Sequence, residues 1–268
     1  MARYRYEIKY ILDPHTASLA RERLLPFLRH DRHCTNDPHR RYAVSSLYLD
    51  SPSLRLASST IEGELQRVKL RIRRYVPLGQ AEYDGPLFFE IKHKKNGLIH
   101  KQRAIVPADI ADMLLDSDAP LVTNGRLPEK DKLIVNEFQR LRMRYSAQPV
   151  VNVHYMREAY ESKLGDGMRV TFDHRLTASP WSLDAPFGTW PGRPADIDGI
   201  VLELKFTKTC PRWAFDCLDP MNLIRRAVPK YVLCLKTVGA VGGTPRITVT
   251  ERFRMNGKTV PVDSRGLS

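Results

Sequence analysis

The stretch "VKLRIRRY", residues Val68–Tyr75, decides the fold because its charges alternate strictly with apolar residues over most of its length. Successive side chains of a β-strand point to opposite faces, so Lys69, Arg71 and Arg73 share one face and the apolar residues share the other. A row of like charges on one strand face repels itself unless something negative lies opposite. The stretch therefore raises the question of whether this face contacts solvent or lines a site for an anion.

Five further segments place charged residues at alternate positions. These same-face residues are Arg5, Glu7 and Lys9; Glu90, Lys92 and Lys94; Lys101 and Arg103; Arg169, Asp173 and Arg175; and Glu203 and Lys205. An antiparallel sheet with one solvated face would explain any single strand. Tight groups of Lys, Arg and Glu favour a lumen instead, because a sheet closed into a barrel would turn all of these residues inward.

The order of the predicted elements indicates an antiparallel α+β fold. Eight or nine strands alternate with about four helices, and Asn96-Gly97 is a strong hairpin signal. Asp13 is predicted to cap the first helix, and Pro220 is predicted to interrupt a helix from Trp213 to Val228. A weaker last strand is predicted from Arg246 to Met255. No linker divides the chain, so residues 1–268 are predicted to form a single domain.

Composition restricts the partners. The 268 residues carry 43 Lys and Arg against 30 Asp and Glu, a net charge of +13, which favours a polyanionic partner. The four cysteines form no CxxC pair, which gives no support to a zinc site and fits free thiols in a reducing compartment. The sequence shows no signal peptide and no apolar run long enough to span a membrane. A cytoplasmic protein is therefore expected, and a membrane-bound partner is left open.

A lumen lined by so many cations needs a ligand, because desolvated charges are costly without partners. A linear polyphosphate supplies about one negative charge per phosphate and several acceptor oxygens per unit. Glu90 and Glu203, with Glu7 on the first strand, are poor neighbours for phosphate unless a divalent cation lies between the oxygens. The sequence therefore predicts a channel for a linear polyanion and a metal ion.

Seven motifs, in order, resemble the polyphosphate-polymerase domain of the vacuolar transporter chaperone (VTC) family, a CYTH-like branch of the triphosphate tunnel metalloenzymes. The motifs are "RYEIKY", "SLYLDSP", "KLRIRRY", "FFEIKHK", "MREAYE", "VTFDHRL" and "LELKF". The resemblance spans roughly Tyr4 to Tyr231. It implies an eight-stranded antiparallel β tunnel with a charged lumen and helices packed outside. It also implies transfer of the terminal phosphate of ATP onto inorganic polyphosphate with Mn²⁺ or Mg²⁺.

Site residues follow from the resemblance together with the strand faces. The predicted catalytic residues are Lys9, Lys69, Arg71, Arg73, Lys92, Arg157, Arg169 and Lys205. The predicted substrate-binding residues are Lys94, Lys101, Arg103, Arg175 and Lys230. The predicted metal ligands are Glu203, Glu90 and Glu7. Hydrolases of the superfamily read Glu-x-Glu-x-Lys on the first strand, whereas this chain has Arg5, Glu7 and Lys9, which favours the polymerase branch.

Two other functions remain open on the sequence alone. One is a triphosphate or polyphosphate hydrolase on the same tunnel, and the other is a non-catalytic binder of polyphosphate or nucleic acid. Nucleic-acid binding predicts aromatic residues interleaved with the basic ones for base stacking. Here the aromatic positions are expected to point away from the charges, so no nucleic-acid partner is predicted. Asp50 is expected to cap a turn, and Asp173 to pair with Arg169 or Arg175.

Overall fold

The computed structural model describes residues 4–31, 40–76, 85–111, 125–181 and 192–240. The described strands are β1 Tyr6–Leu12, β2 Leu28–His30, β3 Arg41–Asp50, β4 Gln66–Val76, β5 Leu87–Lys95, β6 Leu98–Val106, β7 Gln148–Ser162, β8 Arg169–Pro180, β9 Arg193–Pro194 and β10 Ile200–Phe206. The described α-helices are α1 Pro14–Leu24, α2 Arg55–Ile61, α3 Glu129–Tyr145, α4 Arg212–Leu218 and α5 Lys230–Thr237. Within the same ranges, no helix is both long and apolar enough to cross a membrane.

Eight strands form one curled antiparallel path, in the order β1-β10-β8-β7-β3-β4-β5-β6. The short strands β2 and β9 lie beside it, paired with β7 and β8. The two end strands meet at one residue pair, where Arg5 N donates to Ile99 O at 3.1 Å and Ile99 N donates to Arg5 O at 3.2 Å. The predicted eight-stranded antiparallel tunnel is therefore confirmed, and its seam is one bridge long.

The apolar face of the strands points outward and is covered by helices. Ile72 and Phe89 are buried, and the Phe89 ring contacts Phe138 of α3 with ring centroids 5.0 Å apart. On the opposite wall, α1 and α4 pack against the apolar residues of β1, β8 and β10. This arrangement leaves the alternate, charged positions of the same strands for the interior.

Local signals in the sequence are confirmed where they concern turns and caps. Asn96 and Gly97 have φ angles of 49° and 82° and join β5 to β6, the positive φ pair that a tight hairpin turn requires. The Asp13 side chain accepts a hydrogen bond from Thr16 N at 2.9 Å at the start of α1. Both the turn and the cap depend on local backbone geometry, so the sequence alone is enough to locate them.

The predicted helix from Trp213 to Val228 is wrong in its second half. Helix α4 ends at Leu218, a 3₁₀ turn follows at Asp219–Met221, and residues 222–228 are not helical. Pro220 lacks the amide proton that continued helix would use. The predicted strand from Arg246 to Met255 lies outside the described residues.

Candidate active site

The tunnel encloses a cavity of about 430 Å³ whose wall is dominated by cations. The cations that line it are Arg5, Lys9, Lys69, Arg71, Arg73, Lys92, Lys101, Arg103, Arg157, Arg169, Lys205 and Lys230. The acidic residues that line it are Glu7, Asp31, Glu161 and Glu203. We call this space the lumen. All eight predicted catalytic residues lie on its wall, as do Lys101, Arg103, Lys230, Glu203 and Glu7.

Three residues of the predicted set do not line the lumen: Arg175, Lys94 and the fully buried Glu90. Arg175 is exposed and has a φ angle of 51°, at a bulge where the register between β7 and β8 shifts after His154. The extra residue reverses the alternation, so Arg175 no longer shares the face of Asp173. Lys94 follows Lys92 on the same face but contributes to the wall of a second cavity.

Glu203 is the centre of a four-cation cluster. Its carboxylate lies 2.7 Å from the ammonium groups of Lys205 and Lys230, 3.0 Å from that of Lys9 and 3.6 Å from the Arg157 guanidinium. Burial alone would raise the pKa of Glu203, but these cations outweigh burial and hold the pKa well below its usual range. The carboxylate is thus ionised at neutral pH, and it lies on the lumen wall.

Asp173 lies behind this cluster and fixes two of its members. Arg157 donates to it through Nε at 2.6 Å and Nη2 at 2.7 Å, and Lys230 donates as well. Despite burial, which opposes ionisation, these partners lower the pKa of Asp173 to about 2. The expected pairing with Arg169 or Arg175 is wrong, because the true partners come from the neighbouring strand β7 and from α5.

Glu90 organises a second cluster from a position that is 0% exposed. It accepts hydrogen bonds from Arg71 Nε at 2.7 Å, Lys101 Nζ at 3.1 Å and Arg103 Nε at 2.6 Å. Burial raises the pKa of Glu90, and the surrounding cations reverse the shift and hold it well below the usual value. All three of its partners line the lumen, so Glu90 sets the direction in which they point.

Lys69 has no such partner. Within the described part of the chain, no carboxylate or carbonyl group is found in contact with its ammonium. Burial lowers its pKa well below the usual value, and Lys92, Lys9, Arg67 and Arg71 all lower it further. A half-buried cation with only cations around it is stabilised by an anion.

Two other lumen lysines titrate close to neutral pH. Burial lowers the pKa of Lys101 to about 7, because Arg103 and other cations offset much of the attraction of Glu90. Burial also lowers the pKa of Lys205 to about 8, with Glu203 opposing the shift and Arg157 adding to it. The charge of the lumen therefore depends on pH across the physiological range.

Tyrosines also line the lumen, and the expectation that aromatic residues point away from the charges is wrong for them. Arg71 donates to the Tyr48 hydroxyl at 3.0 Å, and Arg73 donates to the Tyr155 hydroxyl at 3.0 Å. Strand β3 carries few charges toward the lumen, so its inward face gave no signal in the sequence. A tyrosine that points inward keeps its ring packed and offers its hydroxyl to a guanidinium.

A divalent cation fits Glu203 and Glu7 better than Glu90. Glu7 lies 3.0 Å from Lys92 and 3.8 Å from Lys9, and Lys9 also contacts Glu203, so one ammonium lies between the two lumen carboxylates. Over the described ranges, no group of three or more His, Cys, Asp or Glu residues is placed to hold a metal. Two carboxylates suit Mg²⁺ or Mn²⁺ when phosphate oxygens complete the ligand set.

The fold and the site together define a class: an antiparallel β tunnel with a strongly basic, partly acidic lumen. The model of the VTC domain family matches residues 4–238, which is most of the chain. The protein belongs to the VTC domain family. No curated protein matches the chain.

Three solved structures illustrate the more distant similarities. HpAC1 from Hippeastrum, described as a candidate adenylyl cyclase with a dominant triphosphatase activity, is 12% identical, with a TM-score of 0.48 over 88% of this chain and 96% of that one. A candidate adenylate cyclase from Bacillus halodurans is 13% identical, with a TM-score of 0.44 over 91% and 95% of the two chains. The PH1819 protein from Pyrococcus horikoshii is 13% identical, with a TM-score of 0.40 over 81% and 86%. The assignment to a family rests on the family match and the strand order.

Proposed function

We propose that this protein is a metal-dependent polyphosphate polymerase, which transfers the γ-phosphate of ATP onto a growing inorganic polyphosphate chain inside the lumen. The observation that carries the proposal is the enclosed wall of cations, with Lys69 half-buried among like charges. Such a wall neutralises consecutive phosphates of a linear chain, and membership in the VTC domain family supports the same substrate class.

Phosphoryl transfer needs positioning and neutralisation of charge rather than a protein nucleophile. A terminal oxygen of the acceptor chain forms the new bond to the γ-phosphorus, the bond from that phosphorus to its bridging oxygen breaks, and ADP leaves. The acceptor oxygen is already ionised, so no general base is required. Lys69, Arg71 and Arg73, with Lys9 and Lys92, hold the donor and acceptor phosphates in line.

Other lumen cations neutralise charge along the path. Arg157, Arg169 and Lys205 line the lumen and would neutralise charge that develops in the transition state. Lys101, Arg103 and Lys230 line it as well and would bind the rest of the chain. Arg175 takes no part, because the bulge in β8 directs its side chain to solvent.

Glu203 and Glu7 would hold Mn²⁺ or Mg²⁺, and the ion would supply neutralisation of phosphate oxygens. Their neighbours Lys9, Lys205 and Lys230 balance the Glu203 carboxylate. We assign Glu90 a different role, as the anchor of Arg71, Lys101 and Arg103, because it is fully buried and does not line the lumen.

The proposed setting follows from the substrate. ATP is the phosphate donor, and Cys210, Cys217 and Cys234 are free thiols, so we place the protein in the cytoplasm. The sheet runs through every described range, which supports one catalytic domain over residues 1–268. A membrane protein that receives the polymer is a further partner consistent with this scheme.

The test is to incubate the purified protein with γ-labelled ATP and Mn²⁺ and to size the labelled products on a gel. Long labelled chains are expected. Labelled orthophosphate alone would indicate a hydrolase on the same tunnel, and no turnover would indicate a binder; either outcome would overturn the polymerase assignment. Lys69→Gln is expected to abolish chain synthesis, whereas Lys208→Gln, on an exposed lysine, removes the same charge and serves as the matched control.

A further inference from the structure

A second cavity of about 460 Å³ lies outside the tunnel, where one end of β4, β5 and β6 meets α2 and α3. We call it the outer cavity. Its basic lining residues are Arg55, Arg67, Lys94, Lys95, Arg140 and Arg144, and its acidic lining residues are Glu64 and Glu137. Glu137 is paired with Arg140 at 2.7 Å, so the remaining cations outnumber the remaining carboxylate.

The outer cavity begins where the lumen ends. Lys69 pairs in register with Lys92, and two residues further along the same strands Arg67 pairs with Lys94. Residues two apart share a strand face and lie about 7 Å apart along it. The inward row of cations on β4 and β5 therefore runs without a break from the lumen into the outer cavity.

The two linking cations lack counter-charges of their own. Nε of Arg67 is buried with no hydrogen-bond partner, and Nη1 of the same side chain reaches only Thr60 O at 3.4 Å. Burial lowers the pKa of Lys94, and Arg67 and Lys92 lower it further, with Glu7 acting weakly in the other direction. An anion at this position would satisfy both groups.

Three aromatic residues that line the outer cavity contact one another. The rings of His93 and His100 are stacked with centroids 6.3 Å apart, and Tyr4 packs on His100 at 5.5 Å. Rings that pack on one another are not free to stack on bases, and binding of single-stranded nucleic acid depends on such stacking. The chemistry therefore favours a polyanion without bases.

We propose that the outer cavity binds the segment of a linear inorganic polyphosphate chain that leaves the lumen between Lys69 and Lys92. This inference rests on the proposed function for its substrate class and adds a second binding region to it. A chain too short to reach the outer cavity is held by the lumen alone. A long chain contacts both regions, so its affinity exceeds that of a short chain.

The test compares binding of tripolyphosphate with binding of a long polyphosphate chain by titration calorimetry, without ATP. The double variant Arg55→Gln with Arg144→Gln removes two exposed cations of the outer cavity and no lumen residue. Long-chain affinity is expected to fall about threefold to tenfold, as for loss of two exposed charge pairs, while tripolyphosphate affinity is unchanged.

The matched control is Lys130→Gln with Lys132→Gln, which removes the same charge from helix α3 at positions that do not line the outer cavity. Both ligands are expected to bind this control as they bind the parent protein. An equal loss of long-chain affinity in both double variants, or no loss in either, would overturn the inference. Because the measurement needs no turnover, it is independent of whether ATP is polymerised, hydrolysed or left intact.

Discussion

Lys69 is a residue whose charge is unfavourable for the stability of the ligand-free protein. It is held among Lys92, Lys9, Arg67 and Arg71, and every one of these neighbours opposes its charge. Residues that cost stability in the free protein are common in binding sites, because the ligand repays the cost. The effect of replacing Lys69 on stability therefore distinguishes a functional role of this residue from a structural one.

Lys69→Gln is expected to stabilise the ligand-free protein by ~1 kcal/mol, since it removes an uncompensated, half-buried charge. Urea denaturation in a buffer free of polyvalent anions would measure the change. Tripolyphosphate should then stabilise the parent protein more than the variant. A variant that is less stable than the parent without ligand would show that Lys69 is a structural residue.

Binding of oxyanions should weaken as the pH rises from 7 to 9. Lys101 has a pKa lowered to about 7 by burial and Lys205 one lowered to about 8, so both are charged at low pH and lose the proton in this window. Sulfate keeps its charge throughout and serves as the probe. We expect its affinity to fall about tenfold, in line with the loss of a charge-assisted hydrogen bond.

The matched variant is Lys101→Arg, because an arginine stays protonated in this range. The fall of sulfate affinity with pH should be smaller in that variant. The same pH dependence in parent and variant would show that Lys101 does not contribute to the anion site.

Glu203→Gln is expected to weaken Mn²⁺ binding, measured by calorimetry with a non-hydrolysable ATP analogue, by about tenfold or more, because it removes a charged ligand. Glu161→Gln is the control, since Glu161 also lines the lumen but is not a proposed metal ligand. Unchanged metal affinity in Glu203→Gln would contradict the metal assignment.

Sequence patterns revealed the charged residues of the lumen but not their partners. Strict alternation placed Lys69 and Arg71 on the lumen wall because a strand has a fixed period of two. The same rule failed at Arg175, where the bulge adds one residue. It also missed Tyr48, whose neighbours at alternate positions of β3 carry no charge to show which way that face points. Tyr155 was missed although Arg157 shares its face on β7.

At the scale of elements, helix α5 contacts both a lumen carboxylate and a buried carboxylate behind the tunnel wall. Its first two residues have separate tasks: Lys230 contacts Glu203 at 2.7 Å, and the Tyr231 hydroxyl donates to Asp50 at 2.6 Å. The Tyr231 ring also stacks on Tyr48, with centroids 4.6 Å apart. Periodicity gave little indication of α5, because a helix of eight residues is set by packing rather than by propensity.

Asp50 is the anchor of this arrangement and is fully buried. Besides Tyr231, it accepts hydrogen bonds from the amides of Ser51, Leu56 and Ala57, which confirms the expected cap. In Asp50→Asn an amide group would face donors, so we expect a loss of ~3 kcal/mol in the free energy of unfolding.

The control for that measurement is Asp13→Asn, because Asn caps an exposed helix start about as well as Asp does. Chemical denaturation should show a change within ~0.5 kcal/mol for this variant. Similar, small effects of both substitutions would contradict the anchoring role of Asp50.

At the scale of the whole molecule, the tunnel brings together charges that are far apart in the sequence. Alternation and hairpins predicted the antiparallel sheet, but the seam between β1 and β6 depends on one pair, Arg5 with Ile99. No local signal marks such a contact, because closure follows from the twist of all eight strands. Closure of the sheet into a tunnel was predicted from the resemblance of the ordered motifs to the VTC family, because the local patterns do not indicate it.

The central claim is that a linear polyphosphate lies inside the closed tunnel. The most direct measurement is a crystal structure of the protein with bound polyphosphate. The account predicts a continuous row of phosphates along the lumen, in contact with Lys69, Arg71 and Lys92. Phosphate density confined to the outer surface, with no phosphate in contact with these three side chains, would contradict it.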